Sequence, residues 1–366
     1  MSRINYFIEK SIHRVIILIL GIILTSCAGA MPNSSWPNAS LDKNKLLVSN
    51  NQAMYAISAD NGQLLWQFPN QADKIRSQFY SPPAYDSKHI YVASDTKNLF
   101  ALDKNTGNEI WSFDGTNDKS GTAPSYVTTN STIVLFASAQ MLYAIDNITG
   151  NLVWEFESEE DLWSAPLATD SNIYISSMDH TITSIDASTG LEEWNTNLNS
   201  SIADQPIILE DTLFTGSLSD NVYAIDLSTG KIKWNFETNG WVWGSPKAID
   251  DQLIFGDLEG YVYSLNTENG KNLWTSQKLD SPSIGTPAYA DGTIFVCTDG
   301  GFLYSINSSN GKTIWSIELD TKNADRILAD PLIYSNAVYV ISMSGENLVY
   351  SIDQSNGQII WAMDLD

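Results

Sequence analysis

Few side chains in this sequence could do chemistry. Of its three histidines, two lie beyond the first thirty residues, His89 and His180. Neither has a metal-ligand spacing such as H-x-x-x-H. His89 begins a strand and His180 falls in a turn, so both read as ordinary surface histidines. There is no G-x-S-x-G and no glycine loop shaped for phosphate. The run Glu157, Glu159, Glu160 and Asp161 could hold a cation weakly, but a solvated acidic loop accounts for it more simply. Cys297 sits in the apolar stretch TIFVCTDG, where a thiol behaves as a small core group. No catalytic residue, metal ligand or cofactor site is assigned on these grounds.

Cys27 is different. A basic start, MSRINYFIEKSIHR, precedes the apolar run VIILILGIIL, residues 15–24, and LTSC ends at Cys27. Ten helical residues reach about 15 Å, half a bilayer core. A cleaved signal segment, residues 1–26, therefore suits the run better than a permanent span. Thr25 and Ser26 before Cys27 resemble a bacterial lipobox. That resemblance implies a diacylglycerol on the Cys27 thiol and further acylation of its amine, enough chains for stable anchoring. The other reading is a plain secretory signal with a chance cysteine. Residues 28–36 are small and polar, the composition of a flexible tether. With Cys27 acylated and Cys297 in a core, no disulfide is expected.

Composition limits the partners. The chain has 366 residues and a formal net charge of −24. Residues 1–26 carry Arg3, Lys10 and Arg14 against Glu9, so the remainder is more acidic still. Such a surface repels nucleic acid and anionic lipid headgroups. Hydrophobic residues make up 43%, enough for a large core.

The scaffold is written in a repeat. The phrase A-x-D-x-x-T-G-x-x-x-W, loosely spelled, recurs eight times, with Asn for Thr in four copies and Ser58, Asn266 or Asn307 for the Asp, and with glycines at 62, 107, 150, 190, 230, 270, 311 and 357. Each is followed four residues on by a tryptophan: Trp66, Trp111, Trp154, Trp194, Trp234, Trp274, Trp315 and Trp361. In AIDLSTGKIKW, residues 224–234, a period-two strand ends at Asp226, whose carboxylate can accept the N–H groups ahead. Gly230 supplies the positive φ that closes the turn, and a second strand returns. Upstream of each phrase a proline opens another hairpin: Pro37, Pro82, Pro124, Pro166, Pro206, Pro246, Pro287 and Pro331.

Each repeat thus predicts four antiparallel strands, A to D, in about 40 residues, the signature of a β-propeller. Eight copies predict an all-β, eight-bladed propeller over residues 37–366, with a seven-bladed ring carrying one decayed copy as the runner-up. Pro37 to Trp66 should supply all of blade one, with strand A the weakest. Trp361 already completes blade eight, so the ring should close by blade-on-blade packing, with residues 30–36 available to help. Each indole should span the gap to the next blade, given room by the Ala or Ser two residues before the Asp position.

Copies such as YAIDNITGNLVW and YAIDLSTGKIKW resemble the tryptophan-docking repeat of the quinoprotein dehydrogenases. They resemble equally the non-enzymatic branch of that superfamily, the BamB outer-membrane assembly lipoproteins. The dehydrogenase resemblance would imply pyrroloquinoline quinone (PQQ), a calcium or lanthanide ion beside a catalytic Asp, and a pair of adjacent cysteines. This chain has no Cys-Cys pair. The BamB resemblance adds a lipobox and a short tether, and it implies scaffolding of a barrel-assembly insertase. The docking loops of that family, with their basic residue, have no clear counterpart in the middle blades; the nearest loop, EFESEEDLWSAP, is acidic.

What remains for function is the set of loops joining strand D of one blade to strand A of the next. Three residues before the strand-A proline stand Phe79, Gly121, Trp163, Ala203, Trp243, Ile284 and Leu328, and Trp241 adds an aromatic nearby. Arg76 and Arg326 lie in the loops into blades two and eight, which flank blade one. Aromatics and arginine are the residue types of interface hot spots. Arg76, Phe79, Trp163, Trp241, Trp243 and Arg326 therefore form a candidate recognition rim; alternatively Trp163 and Trp243 plug the channel. The expectation is a monomeric, lipid-anchored, non-catalytic scaffold for envelope proteins, without cofactor or metal. The alternatives are a PQQ- or sugar-binding extracytoplasmic module and a relative of the quinoprotein enzymes.

Overall fold

The computed structural model describes residues 37–70, 77–115, 125–319, 326–343 and 347–365. The signal segment, Cys27, the tether, Arg76 and Gly121 lie outside the described residues. All described strands belong to the unit Trp36–Asp366. They form eight four-stranded antiparallel sheets, each built from four strands consecutive in the chain, and so an eight-bladed propeller.

Blade five shows the construction. Its strands are Ile207–Leu209, Thr212–Gly216, Asn221–Asp226 and Ile232–Glu237. Asp226 Oδ1 accepts the Thr229 N–H at 3.0 Å and the Thr229 and Ser228 hydroxyls at 2.7 and 2.8 Å. Those hydroxyl bonds, Thr229 foremost, hold the Asp226 carboxyl down to about 2. Gly230 follows at φ +69°. The register pairs Ala224 with Trp234 and shifts directly after it. The same small-residue partner faces every docking tryptophan, from Ala56 opposite Trp66 to Ser351 opposite Trp361. A small side chain there lets the indole lie across the sheet and reach the next blade.

The indole N–H groups make that reach explicit. Trp154, Trp194, Trp234, Trp274 and Trp315 donate to the carbonyl after the turn Asp or Asn of the following blade, at 2.8–3.2 Å. Trp66 and Trp111 do not. The equivalent carbonyl, Lys104 O, receives Lys45 Nζ at 2.5 Å, and Asn147 O receives the Tyr91 hydroxyl at 3.4 Å. Trp361 Nε1 donates to Ala59 O of blade one at 3.3 Å, joined there by the Tyr339 hydroxyl at 2.9 Å. Leu46, Val48 and Ile57 of blade one share one core with Tyr339, Ile341 and Val349 of blade eight. Blade-on-blade packing therefore closes the ring.

Two expectations need correction. Strand A of blade one, Asn38–Asp42, is not weak: it pairs at all five positions with Lys45–Ser49. Strand A of blade five, by comparison, spans three residues. Further bonds hold the blade-one strand in place, with Ser40 Oγ donating to Pro83 O at 2.6 Å and Asp42 paired with Lys104 at 2.9 Å. His89 is not an ordinary surface histidine either. Its Nδ1 lies 3.2 Å from Asp86 Oδ2, which also accepts the Tyr91 hydroxyl at 2.7 Å. Cys297 is buried on its strand as expected.

Candidate functional site

Because successive strands reverse direction, the D–A loops and B–C turns of every blade emerge on one face. Backbone bonds tie them together at one repeated position. The N–H groups of Asp95, Met178, Leu218, Leu258, Asp299 and Met343 in the B–C turns donate to the carbonyls of Gln78, Asp161, Ser201, Trp241, Pro282 and Arg326. The residue after each of those carbonyls is buried: Phe79, Leu162, Ile202, Val242, Ser283 and Ile327. The next residue along is partly exposed in five of these loops, at Tyr80, Trp163, Trp243, Ile284 and Leu328, and buried at Ala203 in the sixth.

That pattern corrects the place of Phe79. It is 0% exposed and packs with Phe68 and Phe100, ring centroids 6.2 and 6.1 Å away. A partner cannot reach it. Strand A of blade two begins at Ala84, so its opening proline is Pro83, not Pro82. Counting from Pro83 puts Tyr80 at the position of Trp163 and Trp243, and Phe79 at that of Leu162 and Val242. The tandem prolines hid a one-residue slip, which exchanges a buried position for an exposed one.

The other rim candidates divide. Trp163 and Trp243 are partly exposed on blades four and six, and Trp241 is 48% exposed beside the Leu258 turn. Arg326 is exposed, but its Nε and Nη2 grip Asp299 Oδ1 and Oδ2 at 2.5 and 3.0 Å. The bidentate pair ties the loop entering blade eight to the turn of blade seven and cancels the charge. No described contact brings Arg326 to the tryptophans.

Sequence reading missed two groups at the channel mouth. Strands A of neighbouring blades, one with eight and five with six among them, touch around the axis. Just ahead of these strands lie Asp204 and Asp330. Asp204 Oδ2 accepts the Ser245 N–H at 2.9 Å, and Asp204 Oδ1 accepts the Gln205 N–H at 2.7 Å. Asp330 Oδ1 accepts the Thr286 N–H at 2.7 Å. Each carboxylate thus staples its blade to a neighbour. Gln205 Nε2 extends the chain of cross-links to Pro166 O at 2.6 Å. The available signal was an acidic residue two before the proline in blade five, where other repeats carry Ser81, Ser164, Gly244 or Gly285, and one before it in blade eight, where they carry Ala165, Ser245 or Thr286.

Burial, then repulsion from Asp330, pushes the Asp204 carboxyl up to about 7. Burial pushes Asp330 up as well. A carboxyl raised above its unfolded value binds its proton more readily in the folded state. Its stabilising contribution is therefore present below about pH 4 and lost as pH rises toward 7. The turn carboxylates such as Asp226, held low, act oppositely and lose their contribution only as pH falls below about 4. Asp204→Asn should accordingly flatten the decline in melting temperature between pH 4 and pH 7. Melts of the two proteins across that range check it, and an unchanged slope counts against it.

The described mouth does not fit PQQ. That cofactor is a tricarboxylate, and here it would meet two enclosed carboxyls. The one described cysteine, Cys297, is buried on its strand. Among the described residues, no group of three or more His, Cys, Asp or Glu is arranged to hold a metal ion.

Known proteins agree with the architecture. BamB from Moraxella catarrhalis superposes with a TM-score of 0.67 at 20% identity, covering 85% of this chain and 92% of that one. Quinohemoprotein alcohol dehydrogenase from Comamonas testosteroni gives 0.69 at 12% identity, covering 89% and 73%. At such identities both show a shared fold. Tetrathionate hydrolase of Acidithiobacillus ferrooxidans is 32% identical over 74 residues, 20% of this chain and 14% of that enzyme. This chain thus matches about a seventh of that relative's length. The family model for outer membrane protein assembly factor BamB matches residues 28–140, 117–209 and 199–366. A match running through every blade, not one shared repeat, places this chain in the BamB family.

Proposed function

We propose that this protein is a non-catalytic, lipid-anchored scaffold of the cell envelope, of the outer-membrane protein assembly type, which holds protein partners on its D–A loop face. One observation carries the reading: Trp241, a large aromatic 48% exposed, stands on that face among partly exposed Trp163 and Trp243. An indole left in water when its neighbours are docked is the residue type that anchors interfaces. Family membership supports partner binding in outer-membrane assembly. The lipobox-like LTSC supports an anchor at Cys27, and the acidic body argues against nucleic acid.

Two measurements test it. Cys27→Ser is expected to move the protein from the membrane fraction to the soluble fraction and to abolish labelling by radioactive palmitate; retained labelling would remove the anchor. A variant changed at Trp163, Trp241 and Trp243 is expected to lose partners that the wild type pulls down from detergent-solubilised envelopes. Undiminished capture would exclude the rim. Incubation with PQQ and Ca²⁺ guards the non-catalytic reading: a bound chromophore with dye-linked alcohol oxidation would replace it by the enzyme.

A further inference from the structure

Resting on that scaffold reading, we infer the chemistry of the partner: the face over blades four to six docks a polypeptide segment whose apolar residues are flanked by Lys or Arg. The structural repeat makes the argument. At the B–C turn position bonded to the D–A loop, blades four, five and six carry Met178, Leu218 and Leu258, all partly exposed. At the same position blades two and seven carry Asp95 and Asp299, and blade eight carries a single Met343, separated from this sector by Asp299. Three consecutive blades thus present one contiguous apolar sector, which ends in charge at Asp299 of blade seven. The adjoining loop residues extend it: Trp241 is bonded through its own carbonyl to Leu258, and Trp163 and Trp243 occupy equivalent positions on blades four and six.

Charge complementarity selects the occupant. The loop into blade four presents Glu159 and Glu160 exposed and Asp161 partly exposed, and the turns of blades four and five add Asp179 and Asp220. Lys278 sits over the Tyr261 ring at this edge, but Glu259 neutralises it at 3.0 Å. An apolar surface within an acidic border favours a segment with apolar anchors and cationic flanks. A net charge of −24 disfavours an anionic lipid surface or a nucleic acid on the same face.

The test uses the whole protein and a short fluorescein-labelled peptide of alternating Leu and Lys, with two counter-probes: Glu for Lys, and Ser for Leu. Anisotropy should show binding of the Leu/Lys peptide alone. Trp241→Ser combined with Leu258→Ser should weaken it about tenfold or more. Glu159→Gln, Glu160→Gln and Asp161→Asn together should weaken it and reduce its salt dependence. Glu192→Gln with Glu193→Gln, on the outer strand of blade four, should change nothing. Thermal melts confirm folding, and Leu218→Ser replaces any variant that fails. Equal binding of the Ser/Lys peptide, or an equal loss from the outer-strand pair, would reduce the effect to net charge and overturn the inference. Photocrosslinking residues at positions 241 and 192 in cells separate the two readings. Crosslinks at 241 to a partner segment rich in Lys or Arg and apolar residues support both. Partners captured only at 192 keep the scaffold and overturn this face. Capture at neither position overturns both.

Discussion

Trp234→Ala is expected to cost about 3 kcal/mol, the lower end of the range for deleting a large buried aromatic, because the indole is partly exposed. Few single substitutions in this chain should do more. The indole lies opposite Ala224 on strand C of its own blade and against the Phe214 ring at 5.7 Å. Its N–H donates to Thr267 O of blade six at 3.1 Å. Around it, Phe214 and Val222 of blade five and Leu253 and Leu265 of blade six form one core. Removing the ring therefore opens a cavity at a blade junction and strips a carbonyl of its donor. Backbone pairing in both blades holds the neighbours apart, so the cavity cannot collapse fully. Urea unfolding followed by circular dichroism should show a lower midpoint at unchanged slope. A midpoint within error of wild type would show that the indole does not join the blades.

The second large effect should come from the other side of the same contact. Gly270 has φ +68°, and a Cβ there would sit 2.7 Å from Trp234 Cε3. Gly270→Ala combines a left-handed backbone, about 1–2 kcal/mol, with overpacking against an immobile ring, about 1–3 kcal/mol. Gly292 provides the control. Its φ is +79°, but nothing lies within 4 Å of its Cβ position, so Gly292→Ala should cost the backbone part alone. In the Trp234→Ala background, Gly270→Ala should also fall to that smaller cost, because the methyl enters the vacated space. A double-mutant cycle reads the coupling directly. Additive losses would mean that the glycine is required only by its turn.

Both predictions concern groups legible in the amino-acid sequence. The Asp-to-Gly turn, the returning strand and the tryptophan lie within one eleven-residue phrase. Their roles follow from local chemistry: a carboxylate that caps a turn, a positive φ, a period of two. The repeat count set eight blades, and the small residue before each Asp marked where an indole could lie. The candidate site was less legible. Trp163, Trp241 and Trp243 stood out because they are tryptophans the repeat does not use. Met178, Leu218 and Leu258 did not stand out. A single apolar residue in a turn is unremarkable until the blades are superposed and three consecutive ones prove to share it, up to Asp299 of blade seven.

By itself, then, this sequence determined the repeating unit, its eightfold use and the docking role of its tryptophans, since each depends on residues a few positions apart. Tertiary structure alone decided what happens between units. It buried Phe79, because strand A of blade two starts after the second of two prolines. It gave Arg326 to Asp299, and it brought Asp204 and Asp330 close enough to repel, because a closed ring places residues more than a hundred positions apart around one axis. Spacing along a chain encodes the blade; only closure of the wheel fixes which side chains meet across it.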